Sequence, residues 1–196
     1  MDRREAIKRT SLIMGGTIFA PSILGVLQGC TPQRAETDWT PELFSDSQAR
    51  LVTALADTIL PPDDYPGAAE LGVPQFIDSM VNTVYTEEQQ EYFLNGMDDF
   101  NELARTAYDS DFADLSDEQK YEFASEKNEE SLDPDHVDIP DDAPFSDPFF
   151  LIFKELTLLG YFTSEVGATE VLQYQMNPGD FRGCEPLEEI GKTWAT

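Results

Sequence analysis

The chain has 196 residues, 40% of them hydrophobic and 11% aromatic, which is enough for one domain with a real core and too apolar for a disordered chain. Its 39 acidic residues against 12 lysines and arginines leave a formal charge of -27. A surface this acidic repels nucleic acid and anionic lipid; two readings of the charge stay open, adaptation to salt or general solubility, and docking onto a basic partner.

Residues 1–30 read as an export signal. Arg3, Arg4, Lys8 and Arg9 form a basic head, and Ser11 to Leu27 is an apolar run broken by Gly15, Gly16 and Pro21, too short and interrupted for a stable span. The head "DRREAIK" resembles a twin-arginine signal: Arg3 and Arg4, then Ile7 and Lys8, with Asp2 where Ser is usual and Ala6 where a larger apolar residue is common. "LQGC" resembles a lipobox in which Cys30 is lipidated and becomes the mature N-terminus; the other reading is an ordinary signal followed by a chance Cys. Both predict a periplasmic, cell-envelope location, and the first adds a lipid anchor in the membrane.

Residues 31–44 read as a tether leading to an ordered Trp39, and 45–196 as a single helical domain. "SDSQARLVTALADTILPP" carries Leu51, Val52, Leu55, Ala56, Ile59 and Leu60 on one helical face, and Pro61 and Pro62 end it. "DDYPGAAELGVP" is a loop. Pro74 suits a first helical turn, and Phe76, Ile77, Met80, Val81 and Val84 form the next stripe. Thr86 with Gln89 makes a capping box for a helix that faces Tyr92, Phe93, Phe100 and Leu103 inward. Ser116 with Gln119 repeats the device for a shorter helix carrying Tyr121 and Phe123. Residues 128–148 read as a long, acidic, Pro-rich loop, mobile or a binding element, with Asp147 and Pro148 as N-cap and N1 of the next helix. No stretch alternates like a strand, so the predicted class is all-α, a small irregular helical bundle with long loops.

The chain carries no glycine fingerprint for a phosphate or dinucleotide and no paired-Cys motif for a metal. His136, the single histidine, has no second His or Cys near it. Carboxylates are so many that none can be named as an acid–base pair. No catalytic, cofactor-binding or metal-binding residue is therefore assigned, and the chain is expected to do no chemistry alone. Cys184 is the other cysteine once residues 1–30 are removed: a disulfide to a partner, a buried inert thiol, or a bridge to an unlipidated Cys30.

The helix opening at "FFLIFKELTLLGYF" is apolar around its circumference, so it is either central in its own bundle or lies between that bundle and another protein. Gly160 and Gly167 would let something approach the backbone, and Thr163 or Ser164 could cap a continuation helix.

Four stretches, "ADTILPPDDYPGAAELGVPQFID", "FFLIFKELTLLGYFTSEVGATEVLQY", "PGDFRGCEPL" and "GKTWA", resemble the gluconate 2-dehydrogenase subunit 3 family. The likeness runs over essentially the whole chain, and "KELTLLGYFTSEVGAT" is its specific part. The resemblance implies an accessory subunit of a membrane-associated dehydrogenase. Its partner would be a large glucose-methanol-choline type flavoprotein that binds FAD and oxidises a sugar or polyol, passing electrons commonly to a c-type cytochrome. The small subunit would supply the twin-arginine signal and help the large one mature and leave the cytoplasm. By position, the partner-facing residues would be Leu156, Leu159, Gly160, Tyr161, Phe162, Thr163, Ser164, Glu165 and Gly167, with Cys184 beside Gly183. The acidic loop from Asn128 to Pro144 departs from the family pattern in length and charge. The alternative is a free-standing cell-envelope lipoprotein with a structural or ligand-binding role, which predicts a concave apolar pocket within the bundle. A self-sufficient hydrolase lacks its nucleophile–base pair.

Overall fold

The computed structural model describes residues 39–133, 135, 137, 139–140, 142–174, 176, 184 and 186–195. Arg3, Arg4, Lys8, Cys30, the first part of the tether, His136 and Gly183 lie outside the described residues.

Helix α1 (Asp46–Ile59) starts at a capping box. The Gln48 N–H donates to Ser45 Oγ at 3.3 Å and the Ser45 N–H to Gln48 Oε1 at 3.1 Å. Its spacing buries Ala49, Leu51, Val52, Leu55 and Ala56, and Pro61 and Pro62 stop it as expected. Helix α2 (Val73–Thr83) has Pro74 in its first turn and buries Ile77 and Val81. Val84, read as part of that stripe, is its exposed C-cap, because the helix ends before the next inward position.

Helix α3 (Glu87–Tyr108) opens on the Thr86/Gln89 box and buries Phe93, Met97, Phe100 and Ala104. Leu103 is exposed rather than inward: position 104 takes the inner face, and its neighbour is turned to the rim. A 3₁₀ turn (Phe112–Asp114) buries Phe112. Helix α4 (Asp117–Leu132) follows the Ser116/Gln119 box, burying Phe123 and Ala124 and leaving Tyr121 exposed. It continues through Leu132, so the acidic loop is shorter than the 128–148 expected. Glu and Lys propagate a helix well, Lys127 bonds Glu130 at 2.8 Å, and the helix stops just before the Pro134 of the sequence.

Helix α5 (Phe149–Thr163) begins one residue later than expected. Pro148, with ψ 157°, is the N-cap in place of Asp147, and its carbonyl accepts the Leu151 N–H at 3.0 Å. The chain then makes a π-helical turn (Gly167–Val171) and a short α6 (Leu187–Ile190); among the described residues the only extended pairing is an isolated bridge between Gln173 and Trp194. The all-α expectation holds for the described residues. None of their helices is long and apolar enough to cross a membrane.

The core is aromatic. Phe93 stacks with Phe44 and Phe153, while Phe100 meets Phe112 and Phe123 edge-on. α5 packs against α1, α2, α3 and α4, and so is the central helix of the bundle. The segment from Trp39 to Phe44, expected to be tether, is docked instead. The buried carboxylate of Asp78 accepts the backbone N–H groups of Glu42 at 2.7 Å, Leu43 at 3.2 Å and Phe44 at 2.9 Å. A buried carboxylate needs such donors, and three consecutive amides supply them.

Candidate partner-binding site

α5 answers how a helix apolar on every side is satisfied. Its inner face holds Phe150, Ile152, Phe153, Leu156, Gly160 and Tyr161, all buried by the chain's own helices. Gly160 lies against Phe76 of α2, whose Cδ1 would be 2.7 Å from an added Cβ. The Tyr161 hydroxyl donates to Pro66 O at 3.0 Å, and burial, with Asp63 nearby, raises its pKa. Leu156, Gly160, Tyr161 and Gly167, expected to face a partner, are therefore enclosed by this chain; what approaches the two glycines is the chain itself.

The outer face is different. At about 100° per residue, Leu151, Lys154, Glu155, Leu158, Leu159 and Phe162 share one side of α5. Leu159 is 45% exposed, Glu155 is exposed, and Leu151, Lys154, Leu158 and Phe162 are half-buried. Five of them, all but Phe162, line a shallow depression of about 530 Å³. Lys154 donates to Asn128 Oδ1 at 2.8 Å, which ties the edge of this face to α4. Tyr85 has its pKa raised by burial and by Glu155. Of the remaining expected contacts, Thr163 and Glu165 are exposed and Ser164 is half-buried. Leu151 escaped the sequence reading because an all-apolar helix gives no periodic signal to separate inner from outer positions.

Beyond α5 three distant segments converge. Ser164 is the cap of the two: its Oγ accepts the Gly167 N–H at 3.0 Å and donates to Tyr161 O at 2.7 Å. Lys192 donates to the Tyr65 hydroxyl at 2.6 Å and to Glu170 O, and its ammonium lies 5.0 Å from the centre of the Tyr65 ring. The Gln173 N–H donates to Thr193 O and the Ala195 N–H to Gln173 O, both at 2.9 Å. In the 61–72 loop, Asp57 Oδ1 accepts the Ala69 N–H at 2.7 Å; burial chiefly pushes the Asp57 carboxyl up. Parts of three of the stretches quoted for the family resemblance thus meet at one end of the bundle. Tyr174, Met176 and Trp194 are exposed there. Cys184 is also exposed and is a free thiol in this chain, so the chain itself does not bury it.

A second concavity, an open groove of about 520 Å³, lies between α3 and α4, walled by Phe100, Leu103 and Phe149 and bearing Asp99 and Glu130. No group of three or more His, Cys, Asp or Glu among the described residues could hold a metal ion. The described cations all have acceptors within the chain. Arg50 pairs with Asp114, Arg105 with Asp111, Lys120 with Asp117 and Lys127 with Glu126 and Glu130; Lys154 and Lys192 are bonded as above. The surface therefore offers carboxylates to anything that approaches, and no unengaged cation among the described residues.

The family model for gluconate 2-dehydrogenase subunit 3 matches residues 46–179, from the start of α1 to beyond the π turn. No curated protein and no solved structure matches the chain.

Proposed function

This chain belongs to the gluconate 2-dehydrogenase subunit 3 family, and from that premise we propose that it serves as a non-catalytic accessory subunit of a flavin-dependent sugar or polyol dehydrogenase. The large glucose-methanol-choline type subunit would carry the FAD and do the chemistry, with a c-type cytochrome as electron acceptor. This chain would bring the twin-arginine signal of Arg3, Arg4 and Lys8, help the large subunit mature, and hold it at the membrane through a lipid on Cys30.

The observation that carries the reading is the family match over α1–α5 and the π turn. The apolar outer face of α5 supports it, since a bundle that already has its central helix has no internal use for that stripe. The test is export. With Arg3 and Arg4 both replaced by Lys, this chain and the flavoprotein are expected to remain together in the cytoplasm. A flavoprotein that still reaches the periplasm rules out the escort role.

The groove between α3 and α4 favours a second reading, a cell-envelope lipoprotein that holds a small ligand. Native mass spectrometry of chain purified from its host separates the two. A bound small molecule with no flavoprotein supports the second; a flavoprotein complex supports the first.

A further inference from the structure

We infer that the outer stripe of α5 is the docking face, and that it takes a protein surface with an apolar centre and a rim of lysine and arginine. This rests on the accessory-subunit reading and names the part of the chain that would carry it. The centre of the face is Leu151, Leu158 and Leu159, seated in the 530 Å³ depression. The five side chains on the two-turn strip from 151 to 159, together with Phe162, form an outward side that no other element of the chain covers completely.

Charge selects the occupant. The protein carries a net -27, and each described lysine and arginine already serves a carboxylate, amide, hydroxyl or carbonyl of the same chain. A second copy would bring the same unneutralised charge, and an anionic lipid surface would be repelled in the same way. A basic-rimmed protein surface gains from what the other two suffer, because opposite charges around an apolar centre steer encounter and fix register. Glu155 is exposed at the edge of the depression and is the carboxylate best placed to meet such a rim. Lys154 also lines the depression, but its ammonium is held to Asn128 Oδ1 on α4, at the edge of the face.

The experiment measures binding of the full chain to the purified FAD-bearing large subunit, by calorimetry at several salt concentrations. Wild type is compared with Leu159→Glu, Leu159→Arg and Glu155→Lys, and with Leu132→Glu as a control on an exposed leucine of another helix. Circular dichroism verifies that each variant is folded; Glu155→Lys, at an exposed polar site, keeps the test alive if the leucine variants unfold. Both Leu159 variants are expected to weaken binding, Leu159→Arg about tenfold more than Leu159→Glu, Glu155→Lys to weaken it about tenfold, and affinity to fall as salt rises. Leu132→Glu should bind as wild type does. If wild type binds and the α5 variants bind equally well, the face is wrong while the accessory-subunit reading stands. Equal losses for Glu and Arg, or an affinity indifferent to salt, overturn the basic rim. A homodimer disrupted by Leu159→Glu overturns the choice of occupant, and a wild-type chain with no affinity for the large subunit overturns both the inference and the reading beneath it.

Discussion

A Cβ added to Gly167 would lie 1.9 Å from the carbonyl oxygen of Tyr161. Nothing there can yield, because the obstacle is backbone and both ends are pinned through Ser164. Gly167→Ala is therefore expected to destabilise the protein by about 3 kcal/mol or to open the π turn locally. Hydrogen exchange over 161–173 distinguishes these outcomes. Gly160→Ala should be far milder. Its obstacle is the half-buried ring of Phe76, and alanine returns about 1 kcal/mol of helix propensity. Combining it with Phe76→Leu should leave that gain visible in chemical denaturation.

Asp78 is the second point at which a single atom group organises distant chain. Asp78→Ala removes the acceptor for three amides, one of them fully buried, and is expected to cost about 3 kcal/mol. Asp78→Asn keeps one acceptor oxygen and should recover part of this. Loss of protection at the Glu42, Leu43 and Phe44 amides locates the effect.

Arg105 holds the Asp111 carboxyl below its ordinary range, first through their side-chain hydrogen bond. A carboxyl depressed in the folded state stabilises above its unfolded pKa, and the contribution disappears as pH falls through the folded value. The stability difference between wild type and Arg105→Ala should thus be constant near neutrality and shrink below pH 3.8, the unperturbed aspartate value. Asp57 has the opposite sign. Burial raises its pKa, so ionisation works against folding once pH climbs through the ordinary aspartate range. Asp57→Asn, which keeps an acceptor for the Ala69 N–H, should be at least as stable as wild type at pH 7. Asp57→Ala should lose about 1 kcal/mol with the hydrogen bond. Thermal melts across pH settle both.

Lys192 joins Tyr65, Glu170 and the C-terminal tail from an exposed position. Lys192→Met is expected to leave global stability within about 0.5 kcal/mol, since the site is solvated. The Gln173 and Ala195 amides should nonetheless exchange faster, which hydrogen exchange reads directly.

What could be read from the sequence was local. The stripes of α1 and α2, the boxes at Thr86 and Ser116, and the stop at Pro61 each depend on neighbours within four residues. Val84 and Leu103 were misplaced where a stripe meets a helix end or a crowded inner face, which periodicity does not resolve. The inner and outer sides of α5 could not be told apart because nearly every position is apolar; only the packing of the other four helices and of Pro66 on it decides. Asp78 and Lys192 left no signal, since a lone Asp or Lys gains meaning only from partners 22 or more residues away.

The helix starts at Ser45, Thr86 and Ser116 each return a glutamine, not a glutamate, to the capping backbone. An amide has no proton to gain. Acid that neutralises the 39 carboxylates of this chain therefore leaves the reciprocal capping bonds of α1, α3 and α4 without a titrating member, although it removes the Lys120–Asp117 pair and the carboxylate that Gln48 also reaches at Asp98. In a molecule so dominated by titrating groups, the capping hydrogen bonds that begin three of its helices are made by atoms that do not titrate.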